Sequence, residues 1–403
     1  MTGNLTFVSA GAGSGKTHKL TTILHAELTS GRARPSGVIA TTFTVKAATE
    51  LRERVRAHLL AQGSFALATA VEQARIGTVN AVCGALLERF AFEAGIATSQ
   101  QVLEEEAAVS VLARAIDAVR DDAALGSFLA IVRRLGLVDS WKGHLADLVD
   151  RVRANGIHPD DLGRFAEENA EELLAHFGAP SKADLGRDLQ ATISLALPAI
   201  EKAAAERGLK NTGKYLSVVR DFQRAMQNGG APWGDWIKLS KEKGEVALRA
   251  TIEPISEIAA RAASHPGLHA DVRAYLVQMF DLCGKALEVY ALAKRELGVL
   301  DFTDQESLLL GLLDNPAVQE VIRDELDLLL VDEFQDTSPI QLALFLKLAR
   351  LAQSVYWVGD VKQAIYGFRG SDTALMEAVV RSLPAFGGKK ERVFSDLCGR
   401  ILS

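Results

Sequence analysis

The chain has 403 residues, 48% hydrophobic and 24% charged, which is ordinary for a globular protein but too long for one simple core, so two compact units are expected. A net charge of −6 argues against a general electrostatic affinity for nucleic acid and leaves a local groove as the route to such a partner. Cys83, Cys283 and Cys398 are far apart, which argues against a disulfide framework or zinc site and fits a reducing cytoplasm; no run approaches a membrane span, and "MTGNLTF" lacks the regions of a signal peptide.

The first element is "TFVSAGAGSGKTHKL", residues 6–20. Leu5, Phe7 and Val8 supply an apolar strand, and a glycine-rich turn follows over Ala10, Gly11, Ala12, Gly13, Ser14 and Gly15. Lys16 and Thr17 then open a helix. In a phosphate-binding loop of this order, backbone N–H groups surround phosphate oxygens, the lysine reaches the β- and γ-phosphates, and the threonine hydroxyl ligates Mg²⁺. Ala10 stands where the strict spelling has its first glycine, a relaxed match. The alternative is a glycine-rich turn that only caps a helix; strand and helix in register favour the nucleotide site.

Residues 37–43, "GVIATTF", predict a buried parallel strand, with a helix over "KAATELRERVRAHLL". Residues 76–90 give another strand-to-helix passage, and such alternation predicts an α/β doubly wound sheet. Ala/Leu/Glu/Arg-rich segments from 96 to 294 predict an all-helical inserted domain, with Val109, Leu112, Ile116 and Val119 on one helical face. Breaks are expected at 155–161, 177–184 and 227–236. Trp233 and Trp236, near lysines, suit either helix packing or duplex DNA, and packing is favoured. Strand character returns in "LDLLLVDEFQD" (326–336) and "SVYWVGD" (354–360), each an apolar run ending in acid. Ligands of such sheets sit at the carboxyl ends of the strands. The expected division is 1–95 and 295–385 for two parts of an ATP-binding domain, 96–294 for the helical insertion, and 386–403 for an irregular tail.

Phosphoryl transfer needs a metal, a positioned water and charge neutralisation at the γ-phosphate. Asp332 is placed as the metal carboxylate and Glu333 as the group that polarises water. Gln363 carries an amide able to touch γ-phosphate and water, and Arg369 a cation able to pair with phosphate. Tyr366 and Phe368 suit base stacking or core packing.

Together, "AGAGSGKT", "TTFTVKAATELRERV", "GTVNAVCGALLERF", "LDFTDQESLL", "LLLVDEFQDTSPIQ" and "VGDVKQAIYGFRGSD" resemble the UvrD/Rep helicases of superfamily one, with the RecB/AddA-type branch the nearest in flavour. The resemblance implies a P-loop, RecA-like sheet with a large helical insert, working as an ATP- and Mg²⁺-dependent 3′-to-5′ motor in DNA repair or recombination. Its partners would be single-stranded DNA, or DNA with a 3′ single-stranded tail, and a nuclease or helicase subunit, with no membrane role. By matching motif, Lys16 and Thr17 would hold phosphate and metal, Asp332 would be the metal carboxylate, Glu333 the general base, Gln363 a γ-phosphate sensor, and Arg369 a link between nucleotide and DNA. Thr42, Phe43, Thr44, Thr78, Asn80, Tyr366 and Phe368 would lie along the DNA, while Asp301, Phe302 and Asp304 match a stretch of structural role.

Three departures stand out. Few residues precede the loop, where relatives carry an adenine-reading glutamine; Val82 replaces an aromatic expected on the DNA path; and the chain ends at Ser403 before an "N-Y-R-S"-like element and second motor domain. The expectation is a truncated or frameshifted product that binds nucleotide without processive unwinding. A non-motor nucleotide-binding regulator acting through a protein partner is the alternative.

Overall fold

The computed structural model describes residues 5–9, 15–99, 101–119, 125–207 and 210–360, with Ala378, Arg381 and Lys389–Arg392. The strands among them are β1 (Leu5–Ser9), β2 (Val38–Thr42), β3 (Arg75–Thr78), β4 (Gln101–Val102), β5 (Val299–Leu300), β6 (Leu328–Val331), β7 (Ser354–Gly359) and β8 (Lys389–Arg392). Six form a parallel sheet in the order β3-β2-β6-β7-β1-β8, and β4 and β5 pair separately. Residues 386–403, read as irregular from sequence, thus include an edge strand. Lys-Lys-Glu-Arg offers no apolar run to signal it, and charge is a common trait of sheet edges.

The chain divides into two units, one of Met1–Val109, Arg151–Gly156 and Lys294–Ser403, the other of Ser110–Asp150 and Ile157–Ala293. Helices follow in chain order: α1 (Lys16–Thr29), α2 (Val45–Ala61), α3 (Phe65–Ala70), α4 (Val79–Arg89), α5 (Ala91–Ala94), α6 (Glu105–Ala118), α7 (Leu125–Leu135), α8 (Trp141–Ala154) and α9 (Leu162–Ala175). They continue as α10 (Leu185–Arg207), α11 (Lys210–Gln227), α12 (Trp233–Lys241), α13 (Arg249–Ala260), α14 (Pro266–Leu297), α15 (Phe302–Leu312), α16 (Pro316–Glu325) and α17 (Pro339–Ala349).

The period-two geometry of a strand explains the first unit's layers. In β6, Leu328 and Leu330 point to one face, where they meet Leu20 and Leu24 of α1 and Leu51 and Val55 of α2. Leu329 and Val331 point to the other, against Leu86 of α4, Leu309 of α15, Ile322 of α16 and Phe345 of α17. Both faces are covered, so the strand reads as a continuous apolar run. The root of the sheet is pinned by Asp327. Its carboxylate accepts from the Arg34 backbone N–H (2.8 Å), the Arg34 guanidinium (2.8 Å) and Gln353 Nε2 (3.1 Å).

The second unit packs α10 to α13 around Leu189, Ile193, Tyr215, Phe222, Trp236 and Ile255. Trp236 is 2% exposed, and Trp233 donates its indole N–H to Asp271, which also holds Arg134. Both tryptophans therefore have packing roles. In α6 the buried stripe is Val111, Leu112, Ala115 and Ile116, with Val119 buried just past its end; Val109, expected on that face, is 61% exposed because it lies toward the start of the helix, before the packed turns. Cys83 and Cys283 are buried free thiols, and burial pushes the Cys283 thiol up to about 12. Among the described residues no helix is long and apolar enough to cross a membrane.

Candidate nucleotide site

Lys16 stands at the start of α1, just beyond the carboxyl end of β1. Gly15 before it sits at φ 82, a left-handed conformation that costs glycine little. No acid of α1 itself occupies its first turn and Gly15 brings no capping side chain, so α1 does not compensate its own dipole there. At the other end of α1, buried Glu27 accepts from the Tyr356 hydroxyl of β7 (2.9 Å) and from Arg32, fixing the helix on the sheet.

The acids arrive from β6, which is separated from β1 in the sheet only by β7. The Asp332 N–H donates to Thr41 O (2.9 Å), extending the β2–β6 ladder by one residue and holding Asp332 at the strand end. Glu333 follows at φ 51, the one non-glycine positive φ among the described residues, and its N–H donates to Asp332 Oδ1 (2.9 Å). This turn brings Glu333 Oε2 to 2.5 Å from Lys16 Nζ, an ion pair between residues 317 apart in sequence. Burial, and next the neighbouring Glu333 charge, push the Asp332 carboxyl up to about 6 despite Lys16. Asp336 is raised by the same two influences in the same order.

The oxygen donors available, the Thr17 hydroxyl near the start of α1 and the Asp332 carboxylate, are hard ligands that suit Mg²⁺. Among the described residues no group of three or more His, Cys, Asp or Glu could hold a metal ion. Residues 10–14, Gln363, Tyr366, Phe368 and Arg369 lie outside the described residues, so the expectations for Ala10, Gly11, Ala12, Gly13, Ser14 and those four side chains rest on sequence.

The DNA candidates fall in two groups. Phe43, Thr44, Thr78 and Asn80 line a cavity of about 720 Å³, together with Phe302 and Gln305. Phe43 is 44% exposed, and Asn80 Oδ1 is buried with no hydrogen-bond partner among the described residues. The Thr44 and Thr78 hydroxyls cap α2 and α4, accepting from Ala47 N and Ala81 N. Thr42 is buried in β2, its hydroxyl donating to Thr44 O (3.1 Å), and it is not on the cavity wall. Val82, read as a gap in the DNA path, is instead a core residue of α4.

Asp301 and Asp304 form a capping box at the start of α15, and their carboxylates meet Arg153 and Lys294. Burial alone would raise Asp301, but Arg153 and Lys294 hold it well below the usual carboxylate range. Sequence reasoning missed Gln335: it sits inside "VDEFQD", and its partners include Asp360, 25 residues away.

A family model described as the UvrD/REP helicase N-terminal domain matches residues 1–384. The chain belongs to that family. Among individual relatives of this UvrD/REP-type chain, an ATP-dependent helicase/nuclease subunit from Oenococcus oeni is 26% identical over 91% of the chain and 35% of its own length. The protein of the same name from Pelotomaculum thermopropionicum is 27% identical over 91% of the chain and 34% of its own length. That from Syntrophomonas wolfei is 39% identical over 26% of the chain and 8% of its own length. The chain thus spans about a third of the two relatives that match it along most of its length.

Proposed function

We propose that the chain is the ATP-binding portion of a 3′-to-5′ DNA helicase of the RecB/AddA type, acting on single-stranded DNA beside a further subunit. The observation that carries the reading is the contact of Lys16 with Glu333, next to half-buried Asp332, at the carboxyl ends of parallel strands of one sheet. Residues 10–17 would form the phosphate loop and residues 96–294 a helical domain inserted into the motor domain. Lys16 would meet the phosphates, and Thr17 and Asp332 would hold Mg²⁺, which when bound neutralises charge on the β- and γ-phosphates. Glu333, just beyond a fixed strand end, would orient and deprotonate the attacking water. Gln363 and Arg369 keep their proposed roles as γ-phosphate sensor and DNA link on resemblance alone. The word "subunit" in the relatives' name is the ground for proposing a partner chain.

Exposed Phe43 and the Asn80 acceptor, unpartnered among the described residues, in one cavity support a strand contact beside the nucleotide site. Coupling between two such ligands is reciprocal: each changes the other's affinity by the same factor. The test is fluorescence anisotropy of a labelled single-stranded oligonucleotide, with and without ATPγS–Mg²⁺. Binding that shifts by about fivefold or more with nucleotide is expected. Nucleotide binding with no oligonucleotide binding would overturn the motor reading in favour of a regulator.

A further inference from the structure

Gln335 is a polar side chain only 4% exposed, and such groups persist where their hydrogen bonds are met. Its amide is used at both ends. Nε2 donates to Glu333 Oε2 (2.6 Å) and Asp336 Oδ2 (3.2 Å), and Oε1 accepts from the Asp360 N–H (3.0 Å). The amide orientation follows from chemistry, because ionised carboxylates only accept and a backbone N–H only donates. Asp360 directly follows β7 and opens the segment that carries Gln363 and Arg369.

We infer that Gln335 is a positioning residue for nucleotide hydrolysis, a strut that fixes the Glu333 carboxylate and ties it to the backbone at the end of β7. The inference rests on the nucleotide-site reading of Lys16 and Glu333. Three further features support it. Lys16 and Gln335 share one oxygen, Glu333 Oε2, so when Lys16 engages a phosphate Gln335 still holds the carboxylate. A Cβ at Gly359 would collide with Gln335 Oε1 and press on Phe334 N (3.2 Å) and Gln335 N (3.3 Å), so the strut requires glycine there. Phe334, between the two strut partners in sequence, is fully buried and stacked on Trp357 of β7 at 4.4 Å, which leaves the turn little freedom to move away from that strand. A residue in a disfavoured conformation, as Glu333 is at φ 51, persists when its surroundings over-determine it. A displacement at the end of β7 is therefore passed to the Glu333 carboxylate through one rigid amide.

Two variants separate the halves of the strut. Gln335→Met removes both bonds at similar length; Gln335→Glu, read at about pH 9 so that the new buried carboxyl is ionised, keeps an acceptor for the Asp360 N–H and loses the donor to Glu333. Hydrogen exchange at the Asp360 amide is read with and without ATPγS–Mg²⁺, alongside thermal melting and the affinity of a fluorescent ATP analogue. Without nucleotide, exchange at Asp360 rises about fivefold or more in Gln335→Met and changes less than about twofold in Gln335→Glu. With nucleotide, exchange at Asp360 responds by about threefold or more in the wild type and in neither variant, while analogue affinity stays within about threefold. Unchanged Asp360 exchange in Gln335→Met, or a full nucleotide response in Gln335→Glu, overturns the strut. A melting loss large enough to unfold Gln335→Met moves the decision to Gln335→Glu, whose single lost donor gives the same nucleotide readout. A wild type that binds no analogue would instead sink the nucleotide-site reading, and Asp360 exchange in the nucleotide-free protein would still decide whether the strut exists.

Discussion

At Glu333 charge and backbone strain fall on one residue: the left-handed φ of 51 turns its carboxylate back toward Lys16, whose side chain is 15% exposed. Glu333→Gln keeps the shape and removes the proposed base, so it is expected to leave nucleotide affinity within about threefold while lowering the single-turnover hydrolysis rate about 10²- to 10⁴-fold. The residues that meet at Lys16 and Glu333 were legible as candidates because a glycine-rich turn before a helix and an acid-ended strand are each spelled in contiguous residues. Gln335 was not. Its role depends on Asp360 being beside it, which only the pairing of β6 with β7 brings about. Gly359 follows the same logic: it reads as a strand end, and the need for glycine appears only with Gln335 packed against it. Gly359→Ala is predicted to destabilise the protein by about 1–3 kcal/mol, since the offending neighbours include backbone; urea melts compared with wild type check this.

At the scale of elements, β6 is held on both sides, with Leu328, Leu329 and Leu330 all fully buried between two helix layers. Leu329→Ala is expected to cost about 2–5 kcal/mol in denaturant unfolding, as a core truncation with little room to collapse. The capping box of α15 gives a pH prediction. Asp301 has a folded carboxyl value below its unfolded one, so its stabilisation is present above about pH 4 and is lost as pH falls through the folded value. Asp301→Asn should therefore be less stable than wild type near neutrality, with the gap narrowing progressively from about pH 4 to about pH 2 in urea midpoints, and not yet closed there. A gap that stays constant over that window would mean the ion pairs with Arg153 and Lys294 contribute nothing. Strands β1, β2, β3, β6 and β7 were legible as short apolar runs, whereas β4 and β5, two residues each, are too short to leave a pattern. The place of β8 is set by pairing with β1 rather than by its own composition.

For the whole molecule, a charge of −6 makes any strand contact a local matter. Base stacking then carries more of the affinity than counterion release, and Phe43→Ala is expected to weaken oligonucleotide binding by about 1–3 kcal/mol with little change in its salt slope. An anisotropy titration at several salt concentrations checks both parts. The chain's membership of the UvrD/REP helicase N-terminal family was legible in the order of its motifs. The bounds of the two units, with Arg151–Gly156 grouped with the first, follow from contacts between residues far apart in sequence, which a change of composition does not define. The central claim is that Lys16, Thr17, Asp332 and Glu333 form a nucleotide–Mg²⁺ site. Its most direct test is equilibrium binding of ATPγS by isothermal calorimetry, with and without Mg²⁺, to the wild type and Lys16→Ala. Saturable, Mg²⁺-dependent binding that weakens about tenfold or more in Lys16→Ala is predicted; equal affinity in the two proteins would contradict the account.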